Sequence, residues 1–99
     1  MKIISNSFSL QMLNGDSVIS VKEITEDEFD KITSDPTIVS AVGHSDTALL
    51  LGVQYNRINV SLNKGDTLYV AQLTGGRLPE GATKLPDVFR FRYFEVKVL

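Results

Sequence analysis

The spacing of hydrophobic and polar residues divides the chain into strands and short helices. Residues 1–5 (MKIIS) read as a first strand, which Asn6-Ser7-Phe8-Ser9 breaks. Ser9 suits the N-cap of a short helical turn over residues 10–13, stopped by Asn14-Gly15. Residues 16–21 alternate, with Val18 opposed to Ile19, and predict a second strand. Thr25 followed three residues later by Glu28 is a capping box. It predicts a helix over residues 26–34, with acids in its first turn, Lys31 late, and Phe29 and Ile32 facing inward. Asp35-Pro36 predicts the start of another helix, with Ile38, Val39 and Val42 as its apolar side and Gly43 at its end. Ser45 or Asp46 then caps a further short helix through residues 47–51, stopped by Gly52.

The second half is strand-rich. Residues 57–62 alternate, with Ile58, Val60 and Leu62 on one side and Asn59 and Ser61 on the other. They predict a strand leading into a turn at Asn63-Lys64-Gly65-Asp66. Residues 67–73 are apolar on both faces, which predicts a central strand with Gln72 near its carboxyl end. A glycine-hinged loop, Gly75-Gly76-Arg77-Leu78-Pro79-Glu80-Gly81, follows. Pro86-Asp87 then turns the chain into a last strand over residues 89–98. There Phe89, Phe91 and Tyr93 share one face, and Phe94, Val96 and Val98 share the other. A bulge, or partial cover by a second subunit, accounts for that change of phase. The order of elements predicts an α+β fold: a mixed sheet of about five strands with helices mostly on one face, in a single domain spanning residues 1–99.

Composition narrows the function classes. No apolar run approaches the ~18 residues a membrane helix needs, and the first residues lack the pattern of a secretory leader. The expectation is a cytoplasmic protein without a membrane partner. The net charge of −2 argues against sequence-independent binding of long nucleic acids, which rests on many Lys/Arg–phosphate contacts. There is no cysteine, hence no thiolate nucleophile, and the single histidine rules out a multi-histidine metal site within one chain. No metal and no cofactor are expected.

The lone histidine, His44, stands at a helix entrance in Gly43-His44-Ser45-Asp46-Thr47. Its position alone is compatible with a surface helix-end histidine. Two features favour a functional role: a preceding glycine, beside which a ligand can approach the backbone, and nearby helix N–H groups that attract anions. Arg77 and Glu80 are compatible with a surface ion pair on an exposed turn. Three glycines within seven residues nevertheless raise the entropic cost of ordering that turn, which suits a loop lying against a bulky ligand. Asn6, Ser7 and Ser9 follow the first strand, and Arg57 follows Asn56; both are weaker candidates for an anion site. One His, one Arg and one Glu are compatible with metal-free phosphodiester cleavage, in which a ribose 2′-hydroxyl attacks the neighbouring phosphate. They are also compatible with anion binding alone.

The motifs Asn6-Ser7-Phe8-Ser9-Leu10-Gln11-Met12-Leu13, Val42-Gly43-His44, Asp66-Thr67-Leu68-Tyr69-Val70-Ala71-Gln72-Leu73, Arg77-Leu78-Pro79-Glu80-Gly81 and Tyr93-Phe94-Glu95-Val96 occur in this order. In order and approximate spacing the chain resembles, nearly end to end, the viral anti-CRISPR ring nucleases of type III systems. The resemblance implies a homodimer that binds cyclic tetra-adenylate and cuts it without metal into linear di-adenylates with a 2′,3′-cyclic phosphate. It assigns His44 as general acid, with Arg77 and Glu80 stabilising the phosphate and orienting the histidine. It places ligand contacts at Asn6, Ser9, Thr47, Arg57 and Gln72. The chain departs from the pattern at Asp46, where a polar neutral residue is favoured. An acid there weakens anion binding unless it caps the helix and faces away. The alternative is a non-catalytic dimer of a virus or mobile element that sequesters a nucleotide or binds a host protein.

Overall fold

The computed structural model describes residues 1–76, 80–81, 84–85 and 87–99. Five strands form one mixed sheet: β1 (Lys2–Ser5), β2 (Ile19–Ile24), β3 (Val39–Ser40), β4 (Thr67–Thr74) and β5 (Arg90–Val98), in the spatial order β2-β5-β4-β1-β3. β1 is parallel to β3 and β4, while β5 is antiparallel to β4 and β2. Four strands therefore run one way and β5 alone runs the other.

Two helices connect the strands. α1 (Glu26–Thr33) opens with the predicted capping box: Thr25 accepts the Glu28 N–H at 3.1 Å, and Glu28 accepts the Thr25 N–H at 3.1 Å. α2 (Ser45–Leu51) ends at Gly52, whose φ of +70° is the left-handed conformation a helix stop favours. A single 3₁₀ turn, Leu10–Met12, is capped by Ser9 as predicted.

Each face of the sheet has its own core. Ile4, Ile24, Phe29, Val42, Ala48 and Tyr69 gather on the helical face, where Phe29 packs on Tyr93 with ring centroids 4.7 Å apart. Ile3, Leu62, Leu68, Val70, Val96 and Val98 gather on the other, covered by Met12 of the 3₁₀ turn and by Phe8, Leu13 and Val60 from irregular segments. This two-sided cover explains the apolar residues on both sides of β5. Its pairing with β4 runs unbroken from Thr67↔Lys97 to Thr74↔Arg90, and that with β2 from Ile19↔Val98 to Ile24↔Tyr93. The strand has no bulge.

Three predicted elements are corrected. The second strand lies at Ile19–Ile24, later than residues 16–21, because pairing with residues 93–98 of β5 selects its span. The helix expected from Asp35 to Val42 is instead a tight turn followed by β3. Asp35 Oδ1 accepts the backbone N–H and hydroxyl of Thr37 at 2.8 and 2.7 Å, which closes a turn where a helix was expected. Val39 and Ser40 then pair with Ile3 and Ile4. Residues 57–62 form no strand; Leu62 alone makes an isolated bridge to Leu13, donating its N–H to Met12 at 2.7 Å. Their alternation reflects burial of Val60 and Leu62 against the sheet without a ladder. Arg77 and Pro86 lie outside the described residues.

Candidate functional site

The carboxyl ends of β1, β2, β3 and β4 all emerge at one edge of the sheet, where β5 begins. Ligands of sheets with parallel strands sit outside such ends, where loops present backbone and side chains. Asn6 follows β1, His44 follows β3 by four residues, and Gln72 lies near the end of β4.

His44 is itself the N-cap of α2, a role the sequence assigned to Ser45 or Asp46. Its backbone is extended (φ −126°, ψ 119°), and Nδ1 accepts the Thr47 N–H at 3.3 Å. The Thr47 hydroxyl lies 3.1 Å from the same nitrogen. One of the helix N–H groups that sequence reading offered to an anion is thus taken by the histidine. Thr47 is buried, 6% exposed, so it supports the ring from beneath. The imidazole remains exposed. With Nδ1 accepting, a neutral ring carries its proton on Nε2. Nε2 is therefore protonated in the neutral and charged forms alike.

The segment after α2 is stitched back along the chain beyond β3. Asn56 donates Nδ2–H to Ser40 O at 2.8 Å and its backbone N–H to Val42 O at 3.0 Å. This sets Arg57 against Gly43. A Cβ at Gly43 would lie 3.3 Å from Arg57 Cγ and 3.6 Å from its Cα. The glycine admits a neighbouring irregular segment of the same chain, where the sequence suggested a ligand. It also places an exposed guanidinium-bearing residue beside His44.

Asp46 accepts the Gly81 N–H at 3.0 Å. The glycine loop and the His44 corner therefore meet, and exposed Glu80 is the residue preceding that bond. Arg77, the loop's cation, is outside the described residues.

Asn6 and Gln72 line a groove of about 330 Å³ on the face opposite the helices, walled by Phe8, Val70, Phe94 and Val96. Ser9 lines an adjoining depression, and its hydroxyl accepts the Gln11 N–H at 3.3 Å. Ser7 borders both hollows. The expected site residues thus form two groups at one edge: the His44 corner with Thr47, Arg57 and Glu80, and the groove with Asn6 and Gln72, which Ser9 flanks.

The sequence profile of the STIV B116-like family matches residues 2–89. The chain belongs to the STIV B116-like family, a viral protein family. Among solved structures it is similar to B116 of Sulfolobus turreted icosahedral virus, with 26% identity, a TM-score of 0.77 and 97% of each chain covered. No curated protein matches it.

This member of the STIV B116-like family also carries a cation that the motifs do not mark. Arg92 stands opposite Gln72 in register, with its guanidinium carbon 5.0 Å from the centre of the Phe94 ring. It binds Glu23 through two hydrogen bonds of 3.0 Å, and this holds the Glu23 carboxyl below the usual range. Period-two alternation alone puts Arg92 on the groove side of β5; its pairing with Glu23 depends on a strand distant in sequence. Among the described residues no cluster of three His, Asp or Glu is placed to hold a metal ion, and no helix is long and apolar enough to cross a membrane.

Proposed function

We propose that this STIV B116-like protein is a metal-independent ring nuclease. It cleaves cyclic tetra-adenylate to linear di-adenylates ending in a 2′,3′-cyclic phosphate, and so silences type III CRISPR signalling in the host cytoplasm. The observation that carries the reading is the exposed His44 with Nδ1 occupied by Thr47. With Nδ1 engaged by Thr47, Nε2 is the nitrogen left to give up a proton, and it does so from the charged ring, which is left neutral with its remaining proton on Nδ1.

In the proposed reaction, the ribose 2′-oxygen attacks the adjacent phosphorus and gives its proton to solvent water. The bond from phosphorus to the 5′-oxygen breaks, and Nε2 of His44 protonates that oxygen. Thr47 is placed to accept from Nδ1–H through its hydroxyl once the ring is charged. Arg57 and Arg77 supply positive charge to the crowded phosphate, and Glu80 orients the histidine. Asn6, Ser9 and Gln72 hold the rest of the ligand. The chain acts as a homodimer: twofold symmetry offers two copies of His44 to a fourfold ring, matching two opposite cuts.

The test is incubation of the protein with cyclic oligoadenylates of several sizes, with and without EDTA, followed by chromatography. Conversion of the four-membered ring to di-adenylate, unaffected by EDTA, is expected. A ring that is bound but intact identifies a sequestering protein, and no binding at all points to a protein partner. Either result overturns the nuclease reading.

A further inference from the structure

We infer that Asp46 is a positioning residue: its carboxylate ties the Glu80–Gly81 turn to the first turn of α2, two residues from His44. It acts there as a hydrogen-bond acceptor and not as a charge. The inference rests on the proposed roles of His44 and Glu80.

Asp46 is half-buried, and among the described residues no ion pair includes it. An unpaired carboxylate beside a phosphate site opposes anion binding. Its contact with Gly81 gives it a task that offsets this. The bond is 3.0 Å long and joins residues 35 positions apart. Among the described residues it is the one hydrogen bond that links residues 80–81 to the rest of the molecule. The base of the loop is secured separately, where the Thr74 hydroxyl donates to Arg90 O at 2.8 Å. Without Asp46 the distal turn keeps its root and loses its tether.

An amide oxygen accepts a backbone N–H as a carboxylate oxygen does, without the negative charge. Asp46→Asn therefore separates acceptor from charge, whereas Asp46→Ala removes both. Two readouts are compared in the wild type and both variants: exchange of the Gly81 amide with deuterium, and single-turnover cleavage of cyclic tetra-adenylate alongside its Kd. Asp46→Ala should speed Gly81 exchange and slow the cleavage step by roughly tenfold, with Kd unchanged or tighter. Asp46→Asn should retain Gly81 protection and most of the cleavage rate, with tighter binding. Unchanged Gly81 exchange in Asp46→Ala, or equal loss of rate in both variants, overturns the inference. A wild-type protein that fails to cleave the ring defeats the nuclease reading instead, and the exchange comparison still decides the tether.

Discussion

Thr47 lies beneath His44 and engages its Nδ1 twice, with the backbone N–H at 3.3 Å and the hydroxyl at 3.1 Å. One side chain thereby caps a helix with one nitrogen and faces solvent with its other. Alanine at position 44 therefore combines a structural effect with a chemical one.

His44→Asn should separate the two. Asparagine is among the strongest N-caps, so helix α2 stays capped, while alanine gives up ~1 kcal/mol of stability. Both variants lose the proton donor, and cleavage of cyclic tetra-adenylate should fall by ~10²–10⁴-fold in each. Urea unfolding and a cleavage assay on the same samples check this. Full activity in His44→Asn would remove the histidine from the mechanism.

Thr47→Val leaves the backbone N–H and removes the hydroxyl. A charged imidazole then has no acceptor for Nδ1–H, a hydrogen bond worth ~1.5–3 kcal/mol when one partner is ionised. Cleavage should slow by roughly 10–100-fold. The circular-dichroism melt should show an intact fold. A rate equal to that of the wild type would show that Thr47 is mere packing beneath the ring.

Gly75 and Gly52 both have positive φ, yet they should respond differently to alanine. At Gly52 a Cβ meets nothing, so the cost is the left-handed backbone alone, ~1–2 kcal/mol. At Gly75 (φ +105°) the Cβ would collide with the Val88 carbonyl oxygen and lie 3.1 Å from Phe89 Cα. Gly75→Ala should lower Tm further than Gly52→Ala. The reverse order in thermal melts would disprove the close approach of Gly75 to the Val88–Phe89 backbone.

Asp66 governs an acid-sensitive contact. Its carboxyl is held below the ordinary range, first by the Asn63 N–H it accepts at 2.9 Å and then by the terminal ammonium of Met1 at 3.1 Å. A depressed folded-state pKa means the unfolded chain takes up the proton first as pH falls. The stabilisation is complete above the usual Asp range and is lost as pH drops through the lower folded value. Asp66→Asn should destabilise by ~1 kcal/mol near pH 7, with the difference shrinking in acid. Chemical denaturation at pH 7 and pH 3 checks it; a difference that grows in acid would contradict the assignment.

Elements set by their own residues could be read directly from the chain. Thr25 and Glu28 lie three positions apart and close the capping box locally, and Ser9 does the same for the 3₁₀ turn. The central strand β4 was legible from apolar residues on both of its faces. Asp35-Pro36 was misleading because a capping aspartate also closes a turn, and the choice was made by Ile3 and Ile4, more than thirty residues upstream. Residues 57–62 had the right face but no strand beside them. In the candidate site, His44 stood out as the single histidine of the chain. The Arg57–Gly43 and Asp46–Gly81 contacts arise from the fold's return path, and no local spacing encodes them.

The strand order bears on how the chain is made. β2 pairs with β5 alone, and β1 pairs with β4, which begins 65 residues after it. As the chain leaves the ribosome, β1 and β2 emerge without the neighbours that will hold them, and β2 stays unpaired until the last strand follows. Closing those long loops is entropically unfavourable before any contact forms. The sheet is complete only once β5 has emerged. Until then the apolar residues of the early strands are exposed to the cell's chaperones and proteases.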